Sequence, residues 1–304
     1  MNRGNVIFNI CNQCNVKCRH CSNNEILNSM DEIDLEMLLN CLKECASANI
    51  EQVTFVGGEP FLYVDRLKLY CSTASQLGLK TCIITNGYWG KTVERAKEIL
   101  TSIKGLDSLL VSSDIYHLEH ISAETIENVI NASLEIGIVI SMNATCASKE
   151  ERDVIRETYK EYKNKIIINT HMMMPIGAAK KLEIKRWKLS ERKTRLASVC
   201  GIGNYLIEMD GEVHGCCNAI LAKEKFLYLG NVKRNKLSRL IKESQNNKEF
   251  NFITKYGPRG IEDLVKNNQK LSQYMTKEYT CECEFCVDIM GGSASGRELI
   301  KDAK

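Results

Sequence analysis

The sequence predicts an α/β chain, an incomplete parallel (β/α)6 barrel over residues 1–190 followed by a small cysteine-bearing subdomain over residues 191–304. Three observations predict it. Between residues 5 and 175, short β-branched runs alternate with amphipathic stretches of helical period, the pattern that builds parallel strands through right-handed crossovers. Residues able to do chemistry fall where those strands end, as they do at the mouth of a parallel barrel. After Lys180-Lys181 the rhythm stops, a Lys/Arg-rich stretch runs to Arg195, and a second group of cysteines extends from Cys200 to Cys286.

In chain order, strands are expected at Val6–Ile10, Gln52–Val56, Lys80–Thr85, Ser108–Ser113, Ile138–Asn143 and Ile166–His171. Helices are expected at Asp34–Ala48, Asp65–Leu77, Lys91–Ser102, Ala123–Ile136 and Lys149–Tyr162. The strand ends release, in turn, the stretch from Cys14 to Cys21, Gly57-Gly58-Glu59, Thr85-Asn86-Gly87, Asp114, Asn143 and His171. Cys41 and Cys45 lie at i and i+4 beside Leu38 and Leu42, an apolar stripe that packs a core. Cys71, Cys82 and Cys146 also read as packing, and Met172-Met173-Met174 as core and pocket wall. Beyond residue 190, Asp210-Gly211 marks a hairpin turn between strands Tyr205–Met209 and Glu212–Gly215, which folds Cys216 back toward Cys200.

A chain of 304 residues that is 44% hydrophobic supports one sizeable core with an appended unit. Its 41 basic and 38 acidic residues leave a charge of +3, too small and too evenly spread to point to nucleic acid. No apolar run approaches the roughly 18 residues of a membrane span, and residues 1–4 lead straight into a strand instead of a signal segment. A cytoplasmic location with no membrane partner is therefore expected. Thiols stay reduced there, so fifteen cysteines, several of them clustered, point to metal instead of disulfides.

Cys14, Cys18 and Cys21 follow the first strand with C-x3-C-x2-C spacing. Three thiolates around a four-iron cube leave one iron open to a small molecule. Cys11 is an alternative ligand, and a zinc site or simple burial are the competing readings. Glycines at 57 and 58 let backbone carbonyls approach a ligand closely, and Glu59 offers a charge-assisted partner for an ammonium.

This loop resembles the C-x3-C-x-aromatic-C signature of the radical S-adenosylmethionine (SAM) superfamily, with His20 at the aromatic position. The resemblance implies a partial radical SAM barrel and a [4Fe–4S] cluster on Cys14, Cys18 and Cys21 whose open iron binds SAM. It implies that His20 packs near the adenine and that Gly57, Gly58 and Glu59 form the family's "GGE" motif at the SAM amino group. Thr85, Asn86, Ser112, Asp114 and Asn143 would line the rest of the SAM pocket. Reductive cleavage of SAM would then give a 5′-deoxyadenosyl radical that abstracts hydrogen from an unactivated C–H bond.

Further on, Cys200 and Cys216 stand in a C-x10-G-x4-C pattern around Gly211, and Cys281, Cys283 and Cys286 crowd together. This region resembles the SPASM/twitch modules of peptide-modifying radical SAM enzymes, with too few late cysteines for two clusters. The resemblance implies one auxiliary [4Fe–4S] cluster on Cys200, Cys216, Cys283 and Cys286, with Cys281 as the substitute. A zinc site bracing the C-terminal unit is the competing reading.

Cys217 adjoins a ligand candidate, and neighbouring residues at a strand end point opposite ways, so both are not expected on one iron. It is either a small buried hydrophobe or a free thiol able to give up a hydrogen atom. Thr85-Asn86-Gly87-Tyr88-Trp89-Gly90, Asp114-Ile115-Tyr116-His117, Gly177-Ala178-Ala179-Lys180 and Asp210-Gly211-Glu212 running into Cys216-Cys217 resemble the YydG/EpeE-type epimerases of ribosomal peptides. That resemblance implies that Cys217 is the catalytic hydrogen donor that converts an L-residue to its D-epimer. Asn204 departs from the family's aspartate, and an amide cannot carry that charge.

The implied partners are a ribosomally synthesised peptide and an electron donor such as flavodoxin or ferredoxin. With only ten residues before Cys11, peptide binding is expected at the barrel mouth and the C-terminal unit, helped by Arg186, Arg192 and Arg195. A radical SAM enzyme that cross-links a peptide through a thioether is the alternative function. A non-catalytic iron–sulfur carrier or zinc-braced binding module is the second alternative.

Overall fold

A computed structural model describes residues 4–22, 32–198, 200, 204–217, 227–291 and 300. Six parallel strands form as the period-2 pattern requires: β1 (Asn5–Asn9), β2 (Gln52–Val56), β3 (Lys80–Thr85), β4 (Ser108–Ser112), β5 (Val139–Cys146) and β6 (Ile167–Met172). Between them lie α1 (Leu35–Ser47), α2 (Val64–Gln76), α3 (Val93–Ser102), α4 (Ile115–Leu118), α5 (Ala123–Glu135) and α6 (Lys149–Thr158). Side chains of Asp34, Thr92, Ser122 and Ser148 cap α1, α3, α5 and α6 by accepting from the first-turn amides. Helix α3 thus begins after Thr92, two residues later than the apolar period alone indicates.

Beyond the barrel strands come β7 (Trp187–Lys188), β8 (Asn204–Ile207), β9 (Glu212–His214) and β10 (Tyr228–Asn231). They are followed by α7 (Leu237–Ser244), α8 (Lys248–Lys266), β11 (Glu278–Tyr279) and α9 (Glu282–Met290). The expected hairpin is present: β8 and β9 are antiparallel, and Gly211 takes the positive φ of +90° that its turn demands. Strand β8 also lies parallel to β1, with Asn5 opposite Asn204 and Phe8 opposite Ile207. One nine-stranded sheet results, in the order β10-β9-β8-β1-β2-β3-β4-β5-β6, and it crosses the division at residue 190.

Alternation along β8 explains the join. Tyr205 and Ile207 enter the main core, while Leu206 packs on Ile7 from the other face. The main core takes in α1 to α3 and continues through Phe250, Ile253 and Phe285 of the C-terminal helices. Cys41, Cys45, Cys71, Cys82 and Cys146 are all buried, as their place in apolar stripes predicts.

Two further features depart from the sequence reading. Strand β5 runs three residues past Asn143, which is therefore mid-strand, opposite Ser112, with its carbonyl accepting the Ser113 N–H at 3.0 Å. The short helix α4 follows β4 because Asp114 accepts from the amides of both Tyr116 and His117 at 3.1 Å.

Candidate active site

The carboxyl ends of the strands open on one cavity of about 760 Å³. Cys14, Cys18 and Cys21 line it, and so do Cys200, Cys216, Cys217, Cys281 and Cys283. His20, Gly57, Gly58, Thr85, Asn86 and Ser112 also reach it. Glu59, Asp114, Asn143 and Cys286 are not among the lining residues.

The loop bearing the first three thiols is seated on the glycines after β2. A Cβ on Gly57 would sit 2.4 Å from the Cys11 carbonyl oxygen, and one on Gly58 only 2.0 Å from that of Gln13. Backbone bonds lock the contact, with Gly58 N–H to Cys11 at 2.7 Å and Glu59 N–H to Gln13 at 2.8 Å. The glycines are thus needed for the approach of the loop. Cys11 is fully buried beneath them, its thiol pushed by burial up to about 12, and it does not line the cavity. Burial likewise raises Cys14, to about 11, but Cys14 faces the cavity, 3.8 Å from the Asn86 side-chain amide.

Glu59 corrects the expectation of an ammonium partner. At 0% exposure its carboxylate turns inward and accepts from Thr85 Oγ1 at 2.6 Å, Asn86 N at 2.7 Å and Phe61 N at 3.0 Å. Burial raises it to about 7 against the pull of those three donors. Its geometry organises the β2 and β3 ends, so Thr85 and Asn86 face the cavity on its behalf.

Asp114 does the same for the histidines. It is 1% exposed, and its oxygens lie 3.1 Å from His20 Nε2 and 3.0 Å from His117 Nδ1. Burial opposes its charge, but the bonds from His117 and His20 hold it well below the usual carboxylate range. Burial would lower His117, yet Asp114 and the adjacent Cys18 raise it to about 10. His20 stacks on Tyr116 with centroids 4.9 Å apart. Cys18, His20 and His117 have ligand atoms within 4.8 Å of one another, a set that could hold a metal ion. His117 and Tyr116 were legible only as parts of a motif; their roles depend on α4, which no periodicity announces.

The Cys216 and Cys217 thiols hydrogen-bond, so the two side chains do not point opposite ways as strand alternation predicts, and that bond lowers Cys217 to about 7. Cys217 is exposed to the cavity, so it is not the buried hydrophobe of the alternative reading. Cys281 hydrogen-bonds Cys283, which raises Cys283 steeply, and Cys200 and Cys216 lie near enough to raise it further. Cys286 is buried, pushed up to about 12 first by burial and then by nearby Cys200 and Cys281. Cys200, Cys216, Cys281, Cys283 and Cys286 therefore lie near one another. Met172, Met173 and Met174 all form cavity wall, and Met173 also packs with Cys18 and Tyr116. Arg192 reaches the cavity; Arg186 and Arg195 pair instead with Glu284 and Asp263 on the surface.

The arrangement fits an open-sited cluster: three cavity-facing thiols on one loop, a backbone seat that admits no side chain, and polar groups around the adjoining space. The family model for the radical SAM superfamily matches residues 8–176, and the chain belongs to that superfamily. As a radical SAM enzyme it uses SAM and a [4Fe–4S] cluster. It is 23% identical over 296 residues to the putative peptide biosynthesis protein YydG of Bacillus subtilis, covering 95% of this chain and 92% of that one. It is 26% identical over 190 residues to a GTP 3′,8-cyclase of Clostridium perfringens, covering 58% of this chain and 57% of the cyclase.

Among solved structures, anSMEcpe with bound AdoMet and Cp18Cys peptide superposes with a TM-score of 0.57 at 13% identity, covering 99% of both chains. BtrN in complex with AdoMet and 2-DOIA gives 0.50 at 16% identity, covering 91% of this chain and 98% of BtrN. These likenesses show the fold. Among the described residues no helix is long and apolar enough to cross a membrane.

Proposed function

We propose that this chain is a cytoplasmic epimerase of ribosomally made peptides, converting an L-residue to its D-form. The observation that carries the reading is Cys217, an exposed thiol that lines the same cavity as Cys14, Cys18 and Cys21. Similarity to a protein named for peptide biosynthesis, and a fold shared with an enzyme crystallised with a peptide, support a peptide substrate. An electron donor such as flavodoxin or ferredoxin supplies the reducing electron.

In this reading residues 1–190 form the radical SAM unit and residues 191–304 the auxiliary unit. Cys14, Cys18 and Cys21 hold the catalytic cluster. His20, Gly57, Gly58, Thr85, Asn86, Ser112 and Asn143 contact SAM, while Glu59 holds Thr85 and Asn86 in place and Asp114 holds His20. Cys200, Cys216, Cys283 and Cys286 hold a second [4Fe–4S] cluster, with Cys281 as the competing ligand. When bound, SAM and the reduced cluster supply the radical that removes a hydrogen atom from a peptide Cα. Cys217 returns a hydrogen atom from its S–H to the opposite face. The S–H bond breaks as the new Cα–H bond forms, so the peptide keeps its composition and the sulfur is left one electron short. One electron and one proton restore the thiol.

The test is anaerobic turnover with a candidate peptide, followed by chiral amino-acid analysis and mass measurement. A D-residue at unchanged mass supports epimerisation. A product lighter by two hydrogens, still formed by Cys217→Ala, would move the assignment to thioether cross-linking.

A further inference from the structure

Two of the three segments that carry the C-terminal thiols are tied together by a carboxylate that the proposed reaction does not use. Glu282 stands between Cys281 and Cys283 at the start of α9 and reaches the cavity wall. Its Oε1 accepts from the Ala197 amide at 3.1 Å, three residues ahead of Cys200, and lies 3.4 Å from Arg192 Nη2. Arg192 lies over the Trp187 ring at 4.6 Å. Trp187 in turn pairs in register with Tyr279, just before the cysteine turn. A carboxylate among thiols that must lose protons to bind iron is electrostatically unfavourable unless offset, and Arg192 supplies the offsetting charge.

The other side of the Cys200 segment is gripped as well. Leu196 N–H donates to Glu262, a carboxylate only 1% exposed, at 2.8 Å, and Ala197 O accepts from Arg259 N at 3.0 Å. Helix α8 kinks at Gly257-Pro258, where Gly257 has φ +57°, and a Cβ there would come within 3.0 Å of the Ser198 carbonyl. Glu284 closes the turn by accepting from Thr280 N at 2.7 Å and Thr280 Oγ1 at 2.8 Å.

We infer that Glu282 is a positioning residue for the auxiliary cluster, tying the Cys200 segment to the Cys281–Cys286 turn so that the thiols are aligned before iron arrives. This rests on the reading that the C-terminal cysteines hold a cluster.

The test is anaerobic reconstitution of the full chain with iron and sulfide. Wild type, Glu282→Ala, Glu282→Asp and Glu282→Gln are compared by iron content and by electron paramagnetic resonance of the reduced protein with and without SAM. SAM binds only the cluster with an open iron, so its addition sorts the two signals.

Glu282→Ala is expected to lose about half the bound iron, through the SAM-insensitive signal alone, with the SAM-responsive signal reporting an intact barrel. Glu282→Asp, which keeps the charge but draws the acceptor back by one methylene, should fall between. Glu282→Gln, whose amide oxygen still accepts from Ala197, should retain both signals. Full iron with an unchanged SAM-insensitive signal in Glu282→Ala overturns the inference, as does a Glu282→Gln variant as depleted as the alanine. A wild type with only the SAM-responsive signal overturns the cluster reading itself, a different failure from either.

Discussion

Cys14, Cys18 and Cys21 share one short loop, fixed by the end of β1 and by the glycines after β2. Cys200, Cys216 and the Cys281–Cys286 turn come from three segments brought together by β8, the kinked α8, the β7 and β11 pair and the Glu282 clamp. A local loop needs only its seat, whereas a dispersed site needs long-range contacts to exist at all. Damage to the first region should therefore act on SAM chemistry alone, and damage to the long-range contacts should act on the second region alone.

The largest effect expected from breaking this comparison is Cys18→Ala, which should abolish SAM cleavage, read as 5′-deoxyadenosine, and leave the C-terminal iron in place. Loss of both clusters together would show that the regions do not assemble independently.

Next is Gly58→Ala. Its Cβ would meet backbone oxygen at 2.0 Å, and such overpacking costs about 1–3 kcal/mol. Thermal melts should register that cost, and the catalytic cluster should load poorly while the C-terminal one loads normally. A variant as stable as wild type with both clusters would refute the glycine seat.

Glu59→Gln sets an amide NH₂ against the donors that the carboxylate now receives, a cost of about 1–3 kcal/mol. It also bears on pH. Burial raises Glu59 to about 7 in the folded chain, so the protonated form is favoured there. Its contribution is full at acid pH and is lost as pH rises from the ordinary carboxyl value through about 7. Melting of the cluster-free wild type should decline over that window, and Glu59→Gln should flatten the decline. Parallel profiles for the two proteins would count against Glu59 as its source.

Smallest is Cys45→Ala, a core thiol away from both groups, where about 1 kcal/mol of destabilisation is expected with both cluster signals unchanged.

The same contrast governs what could be read from the sequence. The β/α rhythm placed the six strands to within a few residues because alternation and caps are local signals. The C-x3-C-x2-C loop and the glycines were legible for the same reason. In the sequence Glu59 and Asp114 look like ligand-facing residues, since residue type and strand-end position say nothing about which way a buried carboxylate turns. Asn143 reads as a strand end because the apolar run stops there, whereas pairing with β6 carries β5 on to Cys146. Arg192, Glu262 and Glu282 act between residues far apart in the chain, so no spacing announces them.

The central claim is that Cys217 delivers hydrogen across the shared cavity. Anaerobic turnover in deuterated water tests it, with reductant, SAM and the peptide, comparing wild type and Cys217→Ala. An exchangeable thiol donor predicts one deuterium at the carbon of a new D-residue, absent from the variant although it still cleaves SAM. A D-residue formed by the variant, or a product without solvent deuterium, would contradict the account.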